Sequence, residues 1–92
     1  MGTAVVEKTF LQMSDDERKD HLLFILRLQQ DGLLQIISLA EQINENATAK
    51  GWADTNEGKA FYQALRGLRE EQFVDVFQDQ VVQLRKKTNI FS

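Results

Sequence analysis

Residues 21–44 read HLLFILRLQQDGLLQIISLAEQIN, and whether this stretch is one helix or two elements decides the fold. Leu22, Leu26, Gln29, Leu33, Ile36, Ala40 and Ile43 recur at alternating steps of four and three, the spacing of a heptad stripe along one helix. Asp31-Gly32 interrupts the run, and a glycine inside a helix costs ~1 kcal/mol relative to alanine. The stripe keeps its phase across that glycine, however. A helix restarting there would also have Leu33 where a capping Ser, Thr, Asp or Asn is preferred. The spacing therefore predicts one helix over 15–46, about 45–50 Å long at 1.5 Å per residue.

Working outward, Ser14-Asp15-Asp16-Glu17 is a capping-box start with acids suited to the helix dipole. Ahead of it, residues 4–12 can form a short helix with Val6 and Phe10 on one side. Beyond Asn44, a second capping-type start, Asp54-Thr55-Asn56-Glu57, leads into Phe61, Leu65 and Leu68 and predicts a helix over 55–66. Phe73, Val76, Phe77 and Leu84 project about 130° from that face at 100° per residue, so the phase breaks. Gly67 is then read as a left-handed helix end. A further helix over 70–87 follows, opened by Glu70-Glu71 and closed by Arg85-Lys86-Lys87. The expected fold is all-α: a single domain over 1–92, with three to four helices in an antiparallel bundle around one long helix.

That long helix is apolar on nearly all sides, since between Leu22 and Leu28 only Arg27 is polar. Such a helix belongs in the middle of something. Dimerisation through the long helices covers the surplus, and two-fold homodimers are the commonest oligomers. The expected partner is therefore a second copy. Leu22, Leu26, Gln29, Leu33 and Ile36 form its seam and Phe73 and Phe77 extend the interface, while Trp52, in the loop between helices, has two readings: a plug for the open end of the bundle, which is preferred, or an interface anchor. Gln29 is the polar member that sets register. The alternative is a self-contained monomeric bundle.

Composition narrows the function classes. Apolar residues make up 42% and charged residues 27% of the 92 residues, the balance of a folded chain. There is no proline to interrupt a helix and no cysteine to form a disulfide or thiolate metal site. Residues Met1–Val6 carry no basic region and no long apolar core, so a secretory signal is not expected and a cytoplasmic home is. The longest apolar run, Leu22–Leu26, is far short of the ~20 residues of a membrane span.

Catalytic signals are missing. His21 is the single histidine, four residues from Glu17, and no second histidine or cysteine could complete a metal site. Ser14, Ser38 and Ser92 fall outside any Gly-x-Ser-x-Gly elbow, and Gly58-Lys59 lacks the rest of a phosphate loop. No catalytic residue, metal or cofactor is expected. The formal charge of −3 speaks against nucleic acid as the main partner. The expected function is thus a small non-catalytic protein-binding or regulatory module acting as a helical homodimer. A nucleic-acid-associated regulator is the alternative, and a metal-binding or enzymatic role ranks below both.

Overall fold

The computed structural model describes residues 9–85. It corrects the all-α expectation, because three helices pack with a three-stranded antiparallel sheet. After a 3-10 turn at Phe10–Gln12 come α1 (Asp15–Arg27), β1 (Leu33–Gln35), α2 (Ile36–Ile43), α3 (Asn56–Glu70), β2 (Val74–Phe77) and β3 (Val81–Leu84). The strands lie in the order β1-β3-β2. Residues 4–8 of the expected first helix, the Lys86-Lys87 end of the expected last one and Ile90-Phe91 lie outside the described residues.

The expected long helix is three elements. Its start is as the sequence implies: the Glu17 amide donates to Ser14 Oγ at 3.1 Å and the Ser14 amide to Glu17 Oε1 at 2.8 Å. It ends at Arg27, and Gly32 then adopts φ +62°, the left-handed region open to glycine. A Cβ there would sit 3.0 Å from Leu84 Cβ, and the Leu84 amide donates to the Gly32 carbonyl at 2.8 Å. Gly32 is therefore the place where the chain turns tightly against β3.

The next helix does restart without a side-chain cap. Gln35 occupies the cap position and makes no capping bond; instead the Ile36 amide donates to the Gln80 carbonyl at 2.8 Å. A backbone group 44 positions away in sequence thus meets the need that Ser or Asp meets locally. The stripe stays in phase because Leu22, Leu26, Ile36 and Ala40 all face one core, from two helices rather than one.

The expected helix over 70–87 is the β2–β3 hairpin. Gly67 lies within α3, which runs on to Glu70. The helix stops at Gln72, whose φ is +67°. The Phe73 amide reaches back to Leu68 O at 2.9 Å and the Gln72 amide to Arg69 O at 3.1 Å. This is a Schellman ending with glutamine where glycine is usual. The Val-Asp-Val-Phe and Val-Val-Gln-Leu segments then pair as strands, Val74 with Leu84 and Val76 with Val82, as β-branched residues on a half-buried surface prefer.

Leu22, Leu26, Leu39, Phe61, Leu68, Val74 and Val82 are the innermost side chains. Lys19 crosses from α1 over Gly67, bonding Glu71 and, at 3.3 Å, Asp15. Glu71's hydrogen bond raises the pKa of the Lys19 amine, partial desolvation opposes this, and Asp15 adds to the rise. A raised lysine value means that the lysine's contribution to this link is fully present at neutral pH and is lost as pH climbs past the folded-state pKa.

Candidate nucleic-acid interface

The connection between α2 and α3 fixes how α3 is presented. Residues 44–55 contain two 3-10 turns, Glu45–Thr48 and Trp52–Asp54. Between them Gly51 takes φ +90°. Glu57, in the first turn of α3, accepts from Asn44 Nδ2 at 2.7 Å and from Trp52 Nε1 at 3.2 Å. Trp52 is buried with its ring 5.7 Å from that of Phe61. Thr55 caps the helix by accepting from the Gly58 amide at 3.0 Å.

Held this way, α3 buries Phe61, Ala64, Leu65 and Leu68 and leaves the opposite face to solvent. Lys59, Gln63, Arg66 and Glu70 form a row along that face at helical spacing, with Tyr62 and Arg69 beside it, all exposed. Three cations stand against the single acid Glu70. The other acid of the helix, Glu57, is engaged with Trp52 and Asn44.

The hairpin flanks this face. One hollow of about 260 Å³ lies between α3 and the hairpin, lined by Tyr62, Arg66, Arg69, Val76 and Asp79. A second, of about 340 Å³, opens between Tyr62, the start of α2 and the turn residues Asp79 and Gln80. Ile36, Tyr62 and Asp79 line both, so the two form one continuous groove.

The residues expected to form a dimer seam do not share one exposed surface. Leu22 and Leu26 are 0% exposed, and Ile36 and Trp52 are also buried in the chain's own core. Gln29 is half-buried and its side-chain Nε2 donates to the Ile25 carbonyl at 3.1 Å, closing the end of α1. Leu33, Phe73 and Phe77 are exposed, Leu33 on β1, Phe73 just before β2 and Phe77 at the end of β2. His21 tilts against the Phe10 ring at 6.4 Å. Among the described residues no three His, Asp or Glu side chains are grouped to hold a metal, and no helix is long and apolar enough to cross a membrane.

Sequence reasoning missed Lys59, Tyr62, Gln63, Arg66, Arg69 and Asp79. A signal was available for four of them. Residues 59, 63 and 66 fall on the face of the expected helix 55–66 away from Phe61 and Leu65, and Tyr62 falls at its border. Ending that helix at Gly67 removed Arg69 from the row, and reading 70–87 as helix hid the turn that carries Asp79. Comparison of the chain with protein-family models, curated proteins and solved structures gives no match.

Proposed function

We propose that this chain is a small non-catalytic regulator that binds double-stranded DNA by laying the outer face of α3 in the major groove. The carrying observation is the exposed row Lys59, Gln63 and Arg66 with Tyr62 and Arg69 beside it, on a helix whose inner face is locked into the core. Arginine and glutamine are the side chains suited to reading purine edges, while lysine and tyrosine serve phosphates. Helix α3 is 15 residues long, about 22 Å at 1.5 Å per residue. That is ample to enter a groove roughly 12 Å wide.

The net charge of −3 works against duplex binding, and Glu57, Glu70, Glu71, Asp75 and Asp79 lie on α3 and the hairpin themselves, so the reading rests on the three cations that share the outer face of α3. Asp15, Asp16 and Glu17 sit in the first turn of α1, outside the α3 row, and a groove-lining patch acts through its local field. The test is fluorescence anisotropy of the whole chain with a labelled random-sequence 20-base-pair duplex across a salt series. Binding whose log K falls with log salt at a slope near −3, about one unit per cation of the row, is expected. No binding at 50 mM salt would refute the proposal.

A second copy remains the favoured protein partner, through a different surface from the expected seam. Phe24 and Leu28, one turn apart on the outer face of α1, are 58% and 67% exposed. Asp20 lies one turn before Phe24 and Arg27 lies between Phe24 and Leu28, both exposed. Two α1 helices crossing antiparallel near Phe24 set Arg27 of each beside Asp20 of the other, so the patch complements itself. Two exposed side chains are a small patch beside the ~800 Å² that each partner of a standard interface buries. Self-association should therefore be weak, with dissociation constants of about 0.1–1 mM. Sedimentation over a concentration series should show it, and Phe24→Lys should abolish it. A wild-type chain that stays monomeric at millimolar concentration rules the pairing out.

A further inference from the structure

The groove beside α3 has an apolar wall that a duplex does not cover. Its wider hollow is lined by Ile36, Ile37, Ala40, Ala47 and the Tyr62 ring, with Asp79 as the one charged residue. Ile37 and Tyr62 are 49% and 42% exposed there. A DNA major groove offers the thymine methyl as its apolar group, and its backbone offers none. The narrower hollow is cationic, because the guanidiniums of Arg66 and Arg69 stand in it against the single carboxylate of Asp79. Neither arginine is ion-paired among the described residues. The groove thus runs from an apolar end to a positive one. The hairpin backbone beside it is already engaged: the Ile36 amide donates to the Gln80 carbonyl at 2.8 Å and the Gln80 amide to the Phe77 carbonyl at 2.9 Å. An extended peptide adding itself as a strand needs free backbone groups, whereas a helix bonds its own and docks through side chains.

We infer that this groove docks a short amphipathic helix of another protein, with apolar side chains on Ile37 and Tyr62 and a carboxylate on Arg66 and Arg69. Along α3, Arg66 lies four residues and Arg69 seven beyond Tyr62, about 6 and 10 Å at 1.5 Å per residue. A helix lying along α3 therefore matches the groove when its acids stand one to two turns beyond its apolar pair. Arginine suits such a partner because its planar fork takes both oxygens of a carboxylate. The two ends together make the choice of ligand. A lysine-bearing helix meets the guanidiniums with like charge, and an acidic chain without an apolar face leaves Ile37 uncovered. Tyr62, Arg66 and Arg69 also belong to the outer face of α3, so the docked helix excludes a duplex. That exclusion rests on the DNA reading; the docking itself does not.

The probe is a labelled helical peptide of leucine, alanine and glutamate, with a leucine pair one turn apart and glutamates one to two turns beyond. One control carries lysine for every glutamate, and the other has the same composition in an order that leaves no apolar face. Anisotropy with the whole chain should give a dissociation constant of about 0.1 mM for the glutamate peptide. Both controls should bind at least tenfold more weakly. Ile37→Glu, at an exposed position, should weaken the peptide about tenfold and leave a random duplex within twofold of wild type. Arg69→Ala should weaken both ligands. No binding of the glutamate peptide at about 1 mM, or equal binding of the lysine peptide, overturns the inference. So does peptide binding that survives Ile37→Glu and is lost in Phe24→Lys, which places the peptide on α1. Self-association abolished by Ile37→Glu would put a second copy in the groove and overturn it too. A chain that binds duplex and not peptide loses this inference and keeps the DNA reading; one that binds peptide and not duplex does the reverse. Where both bind, saturating peptide should release the duplex, and a ternary complex overturns the exclusion.

Discussion

Gly58→Ala is expected to cost about 3 kcal/mol or more, enough to unfold a large fraction of a chain of this size at 37 °C. The position is in the first turn of α3, where alanine would by helix propensity alone be better than glycine by about 1 kcal/mol. Packing reverses that sign. A Cβ on Gly58 would lie 2.2 Å from the Trp52 carbonyl oxygen and 2.7 Å from Ala53 Cα. Both are backbone atoms, so no flexible side chain can swing away. The turn that carries them is held by Trp52 against Phe61 and by Thr55 bonded to the Trp52 carbonyl at 2.5 Å. Accommodating the methyl group means lifting the 3-10 turn off the helix, which exposes Trp52 and breaks its bond to Glu57. Urea denaturation monitored by Trp52 fluorescence reads the effect directly, with Lys59→Ala, exposed one residue along, as a control expected within about 0.5 kcal/mol of wild type. A stabilised Gly58→Ala chain would mean the Trp52 turn is not seated on α3 as described.

What could be read from the sequence follows from where the deciding interactions lie. The starts of α1 and α3 were legible because Ser14 with Glu17 and Thr55 with Gly58 cap within three residues. The start of α2 was not, because its amide is met by Gln80 from the hairpin, a bond visible only once the chain has folded. The heptad stripe misled for a related reason. Leu22 and Leu26 on α1 and Ile36 on α2 converge on one core, and periodicity records that residues face a core without saying how many elements bring them there. The end of α3 was displaced because Gln72 does what glycine normally does. Helix phase arithmetic then absorbed Phe73–Leu84, although Val74, Val76, Val81 and Val82 are a β-branched series better suited to strands. The candidate site suffered most. Its row of cations is half legible on α3, whereas its other wall belongs to the hairpin that the helical reading erased.

The row itself gives the sharpest separation between binding and folding. Replacing Lys59, Arg66 and Arg69 together by alanine should reduce duplex affinity at 50 mM salt by about a hundredfold or more and flatten the salt slope by nearly three units. Their side chains are exposed and none makes an ion pair among the described residues, so the triple variant should unfold within about 1 kcal/mol of wild type. The three need not act alike. Arg66 lies in the row with Gln63, facing where base edges would be, and its single replacement should lower affinity for the preferred duplex more than for a random one. Lys59, near the helix start, should weaken both equally, as a phosphate contact does. Arg69 and Asp79 line the same hollow, so removing the acid leaves the guanidinium uncompensated and the effect of replacing Arg69 should grow when Asp79 is already asparagine, a coupling that a double-mutant cycle measures. A triple variant that binds duplex as tightly as the wild type, with the same salt slope, would remove α3 from consideration and shift attention to the Phe24–Leu28 face of α1.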